Sequence, residues 1–321
     1  MAAETATPGT VRAARSRRFD WREYVVYIGF VVLFAIFAIT LSDDGFLNKT
    51  NLLNIARQSA IIAVMAVAMT FVISTAEIDL SVGSVAGLSS VTTAMVIGDV
   101  GLVGAIVVGL GTGLVCGAIS GALTTVVRIP SFLVTLGMLG IAHGVAMWIS
   151  DTAPQPISNE TFTKIFGTAT ILGIPVLIFW MVAALIIGHL VLRRTPFGRR
   201  VLATGGNESA AAFSGVNTRR IKFSVLLLSG AVAGLAGMLY AGRFQSGRFE
   251  WGEGDELSVI AAAILGGTSL FGGKGSVVGA VTGALLMGLI NNGLILMGLE
   301  YSQQQIVRGA IIILAVALAR R

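Results

Sequence analysis

Apolar residues run along this chain in blocks too long and too continuous for one face of a soluble helix. Crossing the hydrocarbon layer as a helix takes roughly 17–25 residues. Ten blocks meet or approach that length: 24–41, 55–75, 80–97, 102–127, 131–149, 171–192, 222–242, 257–271, 276–298 and 304–319. The eighth and tenth are short, which fits tilted, broken or partly re-entrant segments. The pattern predicts an all-α integral membrane protein of about ten transmembrane helices, one domain over 24–321. The polar, arginine-bearing segment 1–23 ahead of it is expected to be disordered.

One polar interruption is longer than the rest, TPFGRRVLATGGNESAAAFSGVN at 195–217. Arg193, Arg194, Arg199, Arg200, Arg219, Arg220 and Lys222 crowd its ends. Within it, Asn207 is a good N-cap, Glu208 suits a first helical turn, and Gly215 is a natural terminator. These signals predict a short capped helix in a basic loop, a rigid contact offered to a soluble partner.

Composition agrees with a membrane protein: 55% hydrophobic and 12% charged residues, with a mean hydropathy of +0.87. A soluble domain carries about twice that charge. The net charge of +6 does not point to nucleic acid, because the basic residues gather at the ends of apolar runs. With the N-terminus inside, sixteen Lys and Arg fall on inner segments and five on outer ones (Lys49, Arg57, Lys164, Arg243, Arg248), Arg308 lying within a span. That bias supports ten crossings with both termini in the cytoplasm. The single cysteine, Cys116, forbids an internal disulfide and a cysteine-based cluster. Two histidines, His143 and His189, make a metal site implausible. Asn48 and Asn159 head N-x-[ST] patterns, read as chance.

A weak internal repeat is visible. DLSV at 79–82 matches ELSV at 256–259, and GLVGA at 101–105 matches GSVVGA at 275–280. In the ten-span topology the copies have opposite orientation, giving an inverted 5+5 repeat, an arrangement common in transporters. Gly109, Gly113, Gly117 and Gly121 recur every four residues, as do Gly275, Gly279 and Gly283, and Gly230 pairs with Gly234. Such ridges allow close helix packing in lipid, or a seam that slides.

Few residues offer chemistry. Glu77 and Asp79 interrupt an apolar stretch and mark the turn between two spans; they form either a solvated turn and cap or a gate beside a pathway. Asn291 and Asn292 lie deep in an apolar run, where amides bond neighbouring helices or line a polar passage. GTGLVCG at 111–117 and GGTSLFGGKGS at 266–276 imitate nucleotide loops but lack the spacing, the Ser or Thr after Lys274 and the βαβ setting. No nucleophile and base stand together, so no catalytic residue is assigned.

Five motifs in order then resemble one family: AEIDLSVGS (76–84), RIPSFLVTLG (128–137), the 195–217 interruption, DELSVIAAAILGGTSLFGGKGS (255–276) and INNGLILMG (290–298). Together they are similar to the monosaccharide permeases, of ribose, xylose and galactose type, of ATP-binding cassette importers. The resemblance implies a homodimeric transmembrane permease in the bacterial cytoplasmic membrane, surrounded by lipid. Separate ATPase subunits would bind ATP and Mg, and a periplasmic or lipid-anchored sugar-binding protein would dock outside. It also implies that the loop 193–221 is a cytoplasmic coupling loop, with Asn207, Glu208, Ala211, Ala212, Ser214 and Gly215 as contacts to the ATPase. A nucleoside, branched-chain amino acid or furanosyl signal as cargo, and an ion-coupled secondary transporter using Glu77 or Asp79, stand as alternatives.

Overall fold

The structure, a computed structural model, describes residues 25–319; the expectation for the tail 1–23 lies outside them. Twelve helices follow in order: α1 Val25–Thr40, α2 Lys49–Ser74, α3 Val82–Ala122, α4 Ser131–Ile149, α5 Glu160–Thr163, α6 Val176–Arg194, α7 Pro196–Gly206, α8 Glu208–Phe213, α9 Thr218–Phe244, α10 Asp255–Leu265, α11 Val277–Leu296 and α12 Tyr301–Ala319. Each of the ten expected segments is helical over more than half its length. Six helices among the described residues are long and apolar enough to cross a membrane: α2, α3 with its extension to Val127, α4, α6, α9 and α11.

The second of these, α3, is two helices. As one straight rod, α3 would place Thr92 and Thr112 about 30 Å apart. Their hydroxyls are 3.0 Å apart. The chain reverses at Gly101, whose φ of 68° and ψ of −172° suit only glycine. The two arms then lie antiparallel, as the split between 80–97 and 102–127 requires.

The helix α2 forms the centre. Every residue from Ser59 to Ser74 is buried except the partly buried Ile62. A helix apolar on all sides and rich in alanine belongs between neighbours, and α6, α9, α10 and α11 all pack against it. By contrast α1, the second arm of α3, α4, α6 and α12 turn Val31, Ile39, Val103, Leu136, Ile187 and Ile306 outward, the apolar surface that lipid would cover.

The glycine ridges settle into tight packing. A Cβ added at Gly113 would lie 2.1 Å from the Gly230 carbonyl oxygen, and one at Gly230 would lie 2.3 Å from that of Gly113. The second arm of α3 therefore meets α9 backbone to backbone, with Gly117 and Gly234 extending the seam. A matching approach joins α10 to α11, where Gly283 sits against the Ala262 carbonyl.

Two expectations need correction. The run 257–271 supplies only the 11-residue helix α10, about 16 Å long. Beyond it Gly267, Gly272 and Gly273 adopt positive φ and the chain coils back to α11. The polar interruption holds two helices rather than one. Thr195 caps α7 by accepting from the Gly198 amide, Pro196 occupies its first turn, and Val201 is buried beneath it. The loop 151–164 also folds back: Gln155–Pro156 pairs antiparallel with Ser246–Gly247, and Phe162 is fully buried. Asn48 and Asn159 are helix caps, accepting from the Thr50 and Phe162 amides.

Candidate functional site

The polar residues converge at the end of the bundle where α2 finishes and α9 starts. There α7 lies against the last turn of α2. Phe197 stacks on Phe71, centroids 6.2 Å apart, and Gly205 sits against the Ser74 carbonyl, closer than any side chain allows. The Gly273 amide donates to that same carbonyl at 3.0 Å, and Arg193 donates to Gly275 O at 3.0 Å. One knot thus fixes α7, the end of α6 and the 266–276 loop to α2.

From that platform projects α8. Asn207 accepts from the Ala210 amide through its side chain at 2.9 Å, while its own amide donates to Ala203 O at 3.1 Å. One residue therefore closes α7 and opens α8. At the far end, Gly215 has φ 83°. Its amide donates to Ala212 O and the Val216 amide to Ala211 O, each at 3.0 Å, which is the Schellman closure. Both sequence-predicted caps are present. Of the six residues expected to form a contact face, Asn207, Glu208, Ala212, Ser214 and Gly215 are exposed. Ala211 is not: it turns inward with 6% exposure, the one buried residue of this six-residue helix. Phe213, which the sequence reading passed over, is 95% exposed.

Lys222, near the start of α9, joins α8 to the core. Its Nζ is 2.7 Å from Glu208 Oε2 and 2.8 Å from Glu77 Oε1. Lys222 and Glu77 are largely withdrawn from solvent, with side chains 19% and 11% exposed, whereas Glu208 is 49% exposed. Burial works against the Glu208 carboxylate, but the Lys222 ammonium and a hydrogen bond from Thr218 outweigh it. The group is held below the usual glutamate range.

Glu77 begins a non-helical strip, residues 77–81, between α2 and α3. Such backbone inside a helical bundle needs partners for its amides. Two side chains one turn apart on α4 supply them: Ile78 N donates to Ser131 Oγ and Leu80 N to Thr135 Oγ1, both at 3.1 Å. Asp79 is buried at 3% exposure. Its Oδ1 accepts from Ser81 N at 2.9 Å and Ser81 Oγ at 2.7 Å, and its Oδ2 from Ser229 Oγ at 2.6 Å. Asp79 is thus a fully bonded brace ahead of α3, while Glu77 faces the cleft. Ser131, Thr135 and Ser229 had no signature of their own in the sequence beyond a small hydroxyl in an apolar run.

The cleft itself encloses about 390 Å³ between α8, the start of α9, the 77–81 strip and the turn from α3 to α4. Glu77, Glu208 and Lys222 line it together with Thr124, Arg128 and Arg219. The two asparagines stand elsewhere. Asn292 exchanges two hydrogen bonds with Asn51 of α2, at 3.0 and 2.8 Å, and Asn51 also donates to Phe46 O at 3.0 Å. That pair joins α11 to α2. Asn291 is partly exposed and, among the described residues, its side chain makes no hydrogen bond. No group of three or more His, Cys, Asp or Glu among the described residues is placed to hold a metal ion.

Comparison with known proteins adds what geometry does not. Residues 51–316 match the family model described as branched-chain amino acid transport system / permease component. The chain is 40% identical to a ribose import permease protein of Bacillus subtilis, over 92% of each chain. It is 37% identical to a D-allose transport system permease protein of Escherichia coli, over 94% of this chain and 92% of that one. An L-arabinose ABC transporter permease protein of Azospirillum brasilense is 35% identical over 95% and 91%. No solved structure matches.

Proposed function

We propose, from the premise that this chain belongs to the permease-component family of ATP-binding cassette importers, that it carries a monosaccharide across the bacterial cytoplasmic membrane. As a permease subunit it is a multi-pass membrane protein and not itself an enzyme. The proposed assembly is a homodimer of ten-helix subunits with both termini cytoplasmic. Separate ATPase subunits supply ATP and Mg chemistry, and an extracytoplasmic binding protein delivers the sugar. The relatives named for ribose, allose and arabinose support an aldose of five or six carbons as cargo.

The inverted repeat belongs to the same proposal, and the packing supports it. In the first half α2 precedes the α3 hairpin and α4; in the second, α9 precedes the α10–α11 pair and α12. Each leading helix packs on the other half's pair, α9 on α3 and α2 on α10 and α11.

The observation that carries the coupling role is α8: capped at both ends, exposed, and tipped by Phe213. In the proposed cycle ATPase closure moves α8 with Asn207, Glu208, Ala212, Ser214 and Gly215 at the contact. Ala211 is the inward foot of that helix. Lys222 passes the movement to Glu77 and the 77–81 strip. Phe213 anchors the ATPase because an exposed aromatic ring is a strong interface anchor.

The test is reconstitution with the neighbouring ATPase and binding protein. Phe213→Asp should abolish co-purification of the ATPase while the permease alone stays monodisperse, and unchanged co-purification would sink the docking assignment. The binding protein decides cargo. Thermal stabilisation by ribose, allose or arabinose supports the sugar reading. Stabilisation by leucine alone would favour the branched-chain amino acid named in the family's description.

A further inference from the structure

The glycine-rich loop 266–276, which joins α10 to α11, is built to hold one side chain outward. The Ser269 amide donates to Lys274 O at 3.1 Å, closing residues 269–274 into a ring, and Gly272 N donates back to Ser269 O at 2.9 Å. The Phe271 amide donates to Ser269 Oγ at 3.3 Å. Leu270 packs inward on the core, whereas Phe271, at the tip of the ring, is 72% exposed. No other large apolar side chain of this loop is exposed.

The tip is mounted on α7. A Cβ added at Gly272 would lie 2.7 Å from Gly205 O, and one at Gly273 would lie 2.7 Å from Gly206 Cα. Their φ angles of 78° and 75° suit glycine alone. The residue after Gly206 is Asn207, which opens α8. Phe271 therefore rides on the same two glycines that carry Phe213. Around the loop, Arg194, Arg199, Arg200 and Lys274 are exposed, and among the described residues none has an ion-pair or side-chain hydrogen-bond partner. Where this protein turns hydrocarbon outward it does so in rows, as with Ile186, Ile187 and Leu190 on α6. A single rigid aromatic ring among cations has instead the make-up of a protein interface, an anchor inside a polar rim.

We infer that Phe271 is a second anchor for the ATPase subunit, seated in an apolar socket whose carboxylate rim meets the four cations. The inference rests on the coupling role proposed for α8. It gives the ATPase a hold on the second half of the chain, because α11 begins directly after the loop and packs along α2. Movement then enters α11 without passing through α8.

Cysteine labelling in lipid nanodiscs tests this. Cys116, the one cysteine of the chain, is buried, so the parent protein serves as the blank. Phe271→Cys, Phe213→Cys and Leu172→Cys are each treated with a charged maleimide, with and without the ATPase. Leu172 precedes α6, at the opposite end of the bundle from the coupling loop, and should label equally in both conditions. Water excluded from an interface core should slow labelling at Phe271→Cys by about tenfold or more once the ATPase binds. In the cysteine-free positions, Phe271→Asp should weaken ATPase binding by about 30-fold and Phe271→Trp by no more than about threefold. Lys274→Glu should slow association, with the effect fading at high salt. Phe271 is exposed, so these variants are expected to fold, with elution volume as the check. Protection of Phe213→Cys without protection of Phe271→Cys overturns the second anchor and leaves the role of α8 standing. Protection of neither overturns both. If Phe271→Cys labels far more slowly than Phe213→Cys before any ATPase is added, lipid covers the ring and the anchor is overturned.

Discussion

Replacing Lys222 with methionine keeps the stem and removes the charge that joins α8 to the 77–81 strip. The two arms differ in weight. Glu208 is 49% exposed, so water takes over its hydration and its loss contributes at most about 0.5 kcal/mol. Glu77 is 11% exposed, and a carboxylate left there without its ammonium costs about 2 kcal/mol. That is roughly a 30-fold change in a local opening equilibrium. Hydrogen exchange read by mass spectrometry reports it. The Ile78 and Leu80 amides are held only by Ser131 and Thr135, so in Lys222→Met peptides covering 75–81 should exchange about 30 times faster. Peptides covering 207–216 should speed up by no more than about threefold. Lys222→Arg should restore most of the protection, and Glu208→Gln should affect only the second peptide. If Lys222→Met leaves exchange at 75–81 within about twofold of the parent, the strip is held by α4 alone and the bridge transmits nothing.

Other consequences are equally concrete. Gly113→Leu must drive apart two backbones that already touch, lowering stability by about 3 kcal/mol or more; Gly111→Leu, which meets nothing within 4 Å, should leave the melting temperature in detergent unchanged. Asn292→Leu should cost about 1 kcal/mol by orphaning Asn51, and adding Asn51→Leu should recover part of it, with uptake unaffected by the double change. In a double-mutant cycle, Asp79→Asn and Ser229→Ala should couple by about 1–2 kcal/mol in thermal denaturation, and additivity would remove the brace between α3 and α9. The Glu208 carboxylate is held below its ordinary range, so its stabilisation is complete at neutral pH and is lost as the pH falls through that lowered value. Exchange at 207–216 should be flat from about pH 6 to 8, after correction for intrinsic chemistry, and rise below about pH 4.

What the sequence conveyed was local. The helix segments followed from apolar run lengths, and both caps of α8 were visible in Asn207 and Gly215, because capping chemistry acts over a few residues. The start of α7 was equally legible in Thr195–Pro196 but was hidden by four arginines and four glycines across 193–215 that made the stretch look like a loop. Pairings between distant residues were not legible. Asn51 and Asn292 lie 241 positions apart, and nothing in either neighbourhood selects the other. The same holds for Lys222 with Glu77, and for the hydroxyls of Ser131 and Thr135 that satisfy the 77–81 strip. Ala211 was misplaced for a related reason: with three consecutive alanines at 210–212, composition says nothing about which one faces the protein.

Asn207 closes one helix and opens the next, so no spare residue separates α7 from α8. A mechanical engineer would describe the pair as gears without backlash. Load applied at Phe213 is not absorbed by a slack linker but arrives at α7, and through Phe197 and Gly205 at the end of α2. Inserting a single glycine after Gly206 would preserve every side chain on both helices and still introduce play into the train.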